Sequence, residues 1–281
     1  MTPQFNNRSR FPSANILGVG IDAVNMSMAV EAVESAIADK RKGYVCVTGV
    51  HGVMEAFRDR DLAVVFDQAF LVVPDGMPTV WIGRLQGFNA MDRVFGPDLM
   101  LELIDRSQTT GFSHFLCGGG YGVAEDLRRT LQQNFPLARI VGTFTPPFRD
   151  MTTEEEHQLI EKLTDLSPDI MWIGLSTPKQ EHFMARFQSQ LSPMIMIGVG
   201  AAFDFHTGRI KDSPAWVKRS GLQWCHRLMQ EPSRLWRRYL VNNSQFVCHI
   251  GMQLTGLKHF ASPKRSGDAY TSQEAATRDP R

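Results

Sequence analysis

The feature that most constrains this chain is an alternation. Short apolar runs ending in Gly, Pro or Asp take turns with stretches of helical periodicity from about residue 16 to residue 199. The strand-like runs are Ile16–Asp22, Tyr44–Val47, Leu71–Pro74, Phe115–Cys117, Ile140–Gly142, Ile170–Gly174 and Met194–Val199. Between them Met26–Arg41, Val53–Phe66, Met100–Ser107, Ala124–Gln133, Thr153–Leu166 and Glu181–Gln190 read as helices. Thr152 or Thr153 is placed to cap the fifth, with three glutamates in its first turn. Strands alternating with helices predict an α/β fold with a mostly parallel sheet of Rossmann-like βα units. In such sheets ligands bind beyond the carboxyl ends of the strands. That rule selects Thr48, Asp75, Gly118–Gly122, Thr177–Gln180 and Gly200–Asp204 before any chemistry is considered.

Beyond Gly208 the character changes. Residues 209–238 hold eight basic side chains against Asp212 and Glu231, interleaved with tryptophans, although the net charge of the chain is only +1. An excess of that kind suits anionic lipid or phosphate, at roughly 1 kcal/mol per basic residue near an anionic membrane. Phe246, Val247, Ile250, Leu254 and Leu257 follow as an apolar stripe. A C-terminal helix packed on the core and an interfacial basic amphipathic arm both fit that stripe. Pro232 falls near the middle of this helical segment, which weakens the placement of Arg227, Arg234 and Arg237 on one face. The predicted organisation is a disordered 1–14, an α/β catalytic region 15–208, a helical appendage 209–260 and a disordered tail 261–281. Residues 1–13 lack the apolar core of a signal peptide, and no apolar run approaches the ~20 residues of a membrane span. Membrane contact is therefore expected to be peripheral. Four scattered cysteines suit a reducing compartment.

Each candidate has a plain alternative. Gly118-Gly-Gly-Tyr-Gly122 joins a strand to a helix and offers backbone N–H groups to a diphosphate. It matches neither G-x-G-x-x-G nor a P-loop, and a tight turn explains it equally well. Asp75 beside an apolar strand is placed to have a raised pKa and act as a base, although composition alone favours an Asp-Gly turn. Lys179 and Gln180 sit where a helix N-terminus meets an anion, or where capping needs them. Gly198–Gly208 reads as a strand opening into a glycine turn that presents Asp204. Asp59-Arg-Asp61 lies in a helical pattern and reads as a solvated face, not a metal site. The eight histidines show no metal-ligand spacing, and no metal is predicted. A nucleotide-dependent oxidoreductase is disfavoured by the missing glycine fingerprint. A non-catalytic nucleotide- or lipid-binding protein of the membrane surface remains the alternative to an enzyme.

Five segments together resemble one family. They are Val73-Pro-Asp-Gly76, Arg93-Val-Phe-Gly-Pro-Asp-Leu99, Thr177-Pro-Lys-Gln-Glu181, Gly198–Gly208 and Gly221–Tyr239, in that order over residues 15–245. The chain resembles the WecG/TagA/CpsF glycosyltransferases, bacterial enzymes that extend a polyprenyl-diphosphate-linked sugar. The resemblance implies an inverting, metal-independent transfer of a hexose or N-acetylhexosamine from a UDP-sugar, with no cofactor, for an exopolysaccharide or similar surface polymer. It implies Asp75 as general base, with Thr48, Gln180 and Arg93 completing the catalytic set. Gly118, Gly119, Gly122, Lys179, Gly200 and Asp204 are the expected substrate- or nucleotide-binding residues. The resemblance gives Arg227, Arg234 and Arg237 a diphosphate and membrane role. It also implies a cytoplasmic enzyme on the inner face of the plasma membrane, with homo-oligomers allowed and no nucleic-acid partner. Thr48-Gly-Val-His51 departs from the Thr-x-Asn of many members, and Pro78 and Trp81 suggest an altered pocket, so the donor sugar stays open.

Overall fold

The computed structural model describes residues 11–192 and 194–261; the side chains of Ala215, Arg219, Arg234 and Arg238 lie outside that description. The chain opens with β1 (Ser13–Ile16) and β2 (Val19–Asp22), an antiparallel hairpin forming its own two-stranded sheet. The sequence suggests one strand and turn here, with disorder through residue 14. Two residues at positive φ, Leu17 and Gly18, instead fold the apolar run back on itself. The remaining residues expected to be disordered, 1–10 and 262–281, lie outside the described set.

Then follow α1 (Met26–Ala38), β3 (Gly43–Thr48), α2 (Val50–Arg58), α3 (Arg60–Gln68), β4 (Leu71–Pro74), α4 (Met77–Leu85) and α5 (Gly96–Thr110). The second half of the body comprises β5 (Ser113–Gly118), α6 (Val123–Asn134), β6 (Arg139–Phe144), α7 (Thr153–Leu166), β7 (Ile170–Gly174), α8 (Lys179–Phe187), β8 (Ile195–Gly198) and α9 (Ala202–His206). The appendage consists of α10 (Ala215–Arg219), α11 (Gln223–Gln230) and α12 (Pro232–Leu254).

β3 to β8 form one parallel sheet in the order β4-β3-β8-β7-β5-β6. The fold is α/β, as the alternation predicts. Its inner strands are largely apolar because helices cover both faces, while the edge strand β6 keeps an exposed Arg139. Tyr44, Cys46, Met171 and Ile173 point into one core with α2, α3, α7 and α8. Val45, Ile170 and Trp172 point into the other with α1, α5 and α6. The connection leaving β5 runs outward to β6, while that leaving β7 runs inward to β8. The crevice between the carboxyl ends of β5 and β7 is therefore a topological switch point.

Four helical expectations change. The helix read over 53–66 is two, because Asp59 has extended backbone and its carboxylate accepts from Asp61 and Leu62 N–H to cap α3. Asp59-Arg-Asp61 is thus capping chemistry. A helix not foreseen, α4, begins directly after Asp75-Gly76 with Pro78 in its first turn. Asp204 lies in the short helix α9 rather than in a glycine turn. Pro232 opens α12 instead of interrupting a helix, since its missing N–H costs nothing there. Arg227 and Arg237 consequently sit on different helices. Thr152 caps α7 with a reciprocal Glu155 bond, as its sequence predicts.

Candidate active site

A cleft of about 860 Å³ opens over the switch point. Its walls combine the ends of β4, β7 and β8, the start of α5, the β6–α7 loop, and Arg227 and Leu235 from the appendage. Of the residues singled out from the sequence, it brings together Asp75, Gly119, Lys179, Gln180, Gly200, Asp204 and Arg227.

Asp75 follows the buried run of β4, and its backbone N–H donates to Thr48 O at 2.9 Å. Burial pushes its carboxyl up from the usual range; Arg93, a Gly96 N–H and Arg227 pull the other way, and Asp98 adds to the rise. Its Oδ1 is sealed from water and has no partner among the described residues. Arg93 stands beside it, donating through Nε to Asp75 O at 2.5 Å and through a second nitrogen to Gln223.

An aromatic pair carries the cations. Phe95 and Phe205 meet edge to face at 5.8 Å. Arg93 lies 4.2 Å and Lys218 5.0 Å from the Phe95 ring, and Arg227 lies 5.5 Å from the Phe205 ring. Lys218 is also engaged by Asp98 at 3.8 Å and Asp212 at 2.5 Å. Arg227 has Glu231 at 3.6 Å, but its buried Nε has no partner among the described residues.

Gln180 is 2% exposed and Glu181 0%. The Gln180 amide donates to Glu181 Oε1 at 3.0 Å and accepts from Gly200 N–H at 3.0 Å. Thr177 also donates to Glu181 Oε1, at 2.9 Å. Burial raises the Glu181 carboxyl, opposed by these donors from Gln180 and Thr177. Gln180 therefore ties the first turn of α8 to the exit of β8, with one N–H and one lone pair left for a ligand.

Other expected residues do not meet the cleft. Thr48 is packed behind Asp75, where a Cβ on Gly52 would fall 2.0 Å from its hydroxyl oxygen. Of the glycine turn, Gly119 and Gly120 line the cleft, whereas Gly118 and Gly122 do not. Gly118 is required by packing: at φ 129°, a Cβ would approach Gly174 O to 2.6 Å. The N-terminus of α6 is already met by Glu125 and Asp126, which leaves less of its dipole for a diphosphate. Arg237 is exposed and away from the cleft, and the Arg234 side chain lies outside the described residues. Glu181, Gln223 and the Phe95–Phe205 pair are contributors that sequence reasoning missed. Only Glu181 carries a signal, an acid between Gln180 and the apolar face of α8. Among the described residues, no group of three or more His, Cys, Asp or Glu side chains could hold a metal ion.

A family model for "Glycosyl transferase WecG/TagA/CpsF family" matches residues 14–259. The chain belongs to that family. It is therefore a glycosyltransferase, which sets aside the reading as a non-catalytic binding protein. Among curated relatives, an N-acetylglucosaminyldiphosphoundecaprenol N-acetyl-beta-D-mannosaminyltransferase of Bacillus spizizenii is 27% identical over 212 residues, covering 75% of this chain and 80% of the relative. The like-named Bacillus subtilis enzyme is 26% identical over 217 residues, covering 77% and 82%. That of Staphylococcus aureus is 24% identical over 232 residues, covering 82% and 89%. The family match spans the residues of α10 to α12 as well as the α/β body.

Proposed function

We propose that this glycosyltransferase moves a hexose or N-acetylhexosamine from a UDP-sugar to a polyprenyl-diphosphate-linked sugar, with inversion, for a bacterial surface polymer. The observation carrying this reading is Asp75: a carboxylate at a strand end, raised by burial, with an unpartnered oxygen beside two guanidinium groups. The relatives' printed acceptor, a diphosphoundecaprenol-linked N-acetylglucosamine, supports the acceptor class.

Asp75 takes the proton of the acceptor hydroxyl as that oxygen attacks the anomeric carbon. The bond from that carbon to the UDP oxygen breaks, and the electron pair leaves with the diphosphate. Negative charge grows on the leaving group where Arg227 stands, and a guanidinium fork suits it. Gly119, Gly120, Lys179 and the free N–H of Gln180 supply donors for phosphate and sugar oxygens. Asp204 and Gly200 border the same space. Thr48 acts from behind, through its carbonyl on the Asp75 backbone.

The appendage supports action at a lipid surface. Among the described residues, no helix is long and apolar enough to cross a membrane. Yet Trp216 is 68%, Met229 70% and Val247 70% exposed, with Trp236 and Leu240 also outward. Tryptophans mixed with basic residues suit the headgroup region, which supports our reading of an enzyme peripheral on the inner face of the plasma membrane. The test is UDP release from a panel of UDP-sugars, with and without a polyprenyl-diphosphate-N-acetylglucosamine acceptor. Acceptor-dependent release from one donor supports the reading, and no release from any pair sinks it.

A further inference from the structure

We infer that Gln223 is a positioning residue through which the docked appendage holds Arg93 against Asp75. Three observations converge on it. First, Gln223 is the opening residue of α11, and its side-chain oxygen accepts from an Arg93 nitrogen while Arg93 Nε holds Asp75 O. One chain of hydrogen bonds thus runs from the appendage to the backbone of the carboxylate residue. Second, the Gln223 Nε2 is buried without a partner among the described residues. Third, the turn leading into α11 approaches α4, the helix that begins directly after Asp75-Gly76. Gly221 has φ 72°, and a Cβ there would come 2.7 Å from the Trp81 ring and 3.5 Å from Met77 Cβ. Its positive φ and this close approach both suit glycine.

The neutrality of Gln223 matters. Arg93 is balanced by no carboxylate across this bond, so its charge remains available to the Asp75 carboxyl. The charged groups around Asp75 are Arg93, Asp98 on α5 and Arg227 on α11. Lys218 on α10 is engaged by Asp98 and Asp212, and Glu231 faces Arg227. Lys179 on α8 and Asp204 on α9 share the cleft. A carboxylate at position 223 would draw on Arg93 and leave Asp75 easier to protonate. A methionine there would release Arg93 without adding charge.

The test is the titration of the Asp75 carboxyl in aspartate-13C-labelled protein, its resonance assigned with Asp75→Asn. Wild type is compared with Gln223→Met, Gln223→Glu, Arg93→Met and the double variant Gln223→Met/Arg93→Met, each checked for an unchanged melting profile. The titration midpoint is expected to rise in Gln223→Met and further in Gln223→Glu. In the Arg93→Met background, Gln223→Met should move it no further, because Arg93 is the intermediary. An unmoved midpoint in both single variants overturns the inference, and so does an equal shift without Arg93. A kinetic arm rests on the proposed reaction: the acid limb of kcat should move upward in step, with kcat lowered roughly tenfold and KM changed less. Absence of turnover in wild type would defeat that reaction and leave the titration result standing.

Discussion

Toward the amino ends of β5 and β7 the polar side chains close on one another; at the carboxyl ends of the same sheet they do not. At the closed end, Asp169 accepts from both the N–H and the hydroxyl of Ser113 at 2.8 Å, and Trp172 donates to His114 at 3.2 Å. Only His114 Nε2 is left over among these groups. At the open end Asp75 Oδ1, Glu181 Oε2, Gln223 Nε2 and Arg227 Nε all lack partners among the described residues. Buried polar atoms ordinarily find partners, so a cluster of orphans marks capacity kept for something else. The two ends thus separate polar groups that hold the fold from polar groups held by the fold.

The sharpest way to break this contrast is Asp75→Asn. We expect kcat to fall by about a thousandfold, as for loss of a general base, with the fold intact by circular dichroism. The stability sign is opposite to the activity sign. A carboxyl raised on folding contributes stability below its unfolded pKa and loses it as pH rises through the folded value. At neutral pH the wild-type carboxylate is therefore a burden, and the Asn variant should melt at or above wild type. A clearly lower melting temperature would make Asp75 a structural residue.

Arg227→Ala should lower kcat by about a hundredfold with little change in melting, since it removes one donor from the growing diphosphate charge. It should also move the acid limb upward, because Arg227 holds Asp75 down. Unchanged kinetics with a lipid-linked acceptor would remove the appendage from catalysis.

The closed end should answer to pH through stability alone. Burial holds His114 at about 4 against an ordinary 6.5. A depressed folded pKa contributes stability above the unfolded value and loses it as pH falls through the folded one. About 3 kcal/mol should disappear between pH 6.5 and 4, read by urea unfolding at stepped pH. His114→Phe should flatten that slope and leave turnover unchanged. A persistent slope would assign the acid sensitivity elsewhere. The smallest effect belongs to a helix cap beside the cleft-lining β6–α7 loop: Thr152→Ala should cost about 1 kcal/mol in stability by removing the α7 cap.

The sheet was legible because double-sided burial writes strands as unbroken apolar runs such as Ile170–Ile173. The same logic hid the hairpin, where Ile16 to Ile21 reads as one run until Leu17 and Gly18 reverse it. Asp59 cuts a helix that apolar periodicity alone would continue, because capping competes locally with the periodic pattern. Pro78 and Pro232 open helices, a role that depends on where the helix starts and not on the residue itself. Within the site, strand-end residues were readable from topology: Asp75, Gln180, Gly119 and Asp204 all reach the cleft. Thr48 was named for the same reason but is packed behind Asp75. Gln223 and the Phe205–Arg227 contact were not readable, since both exist only once the appendage docks; Gln223 meets Arg93 across 130 residues of sequence. Arg237, placed with Arg227 by spacing, points elsewhere because Pro232 begins a new helix.

The central claim is tested most directly by acceptor-dependent UDP release from a UDP-sugar panel, with wild type and Asp75→Asn side by side. The account predicts one productive donor for wild type, in the presence of polyprenyl-diphosphate-N-acetylglucosamine, and near-background release for the variant. Release at equal rates from both proteins would contradict the role of Asp75, and no release from folded wild type with any donor would contradict the transfer reaction itself.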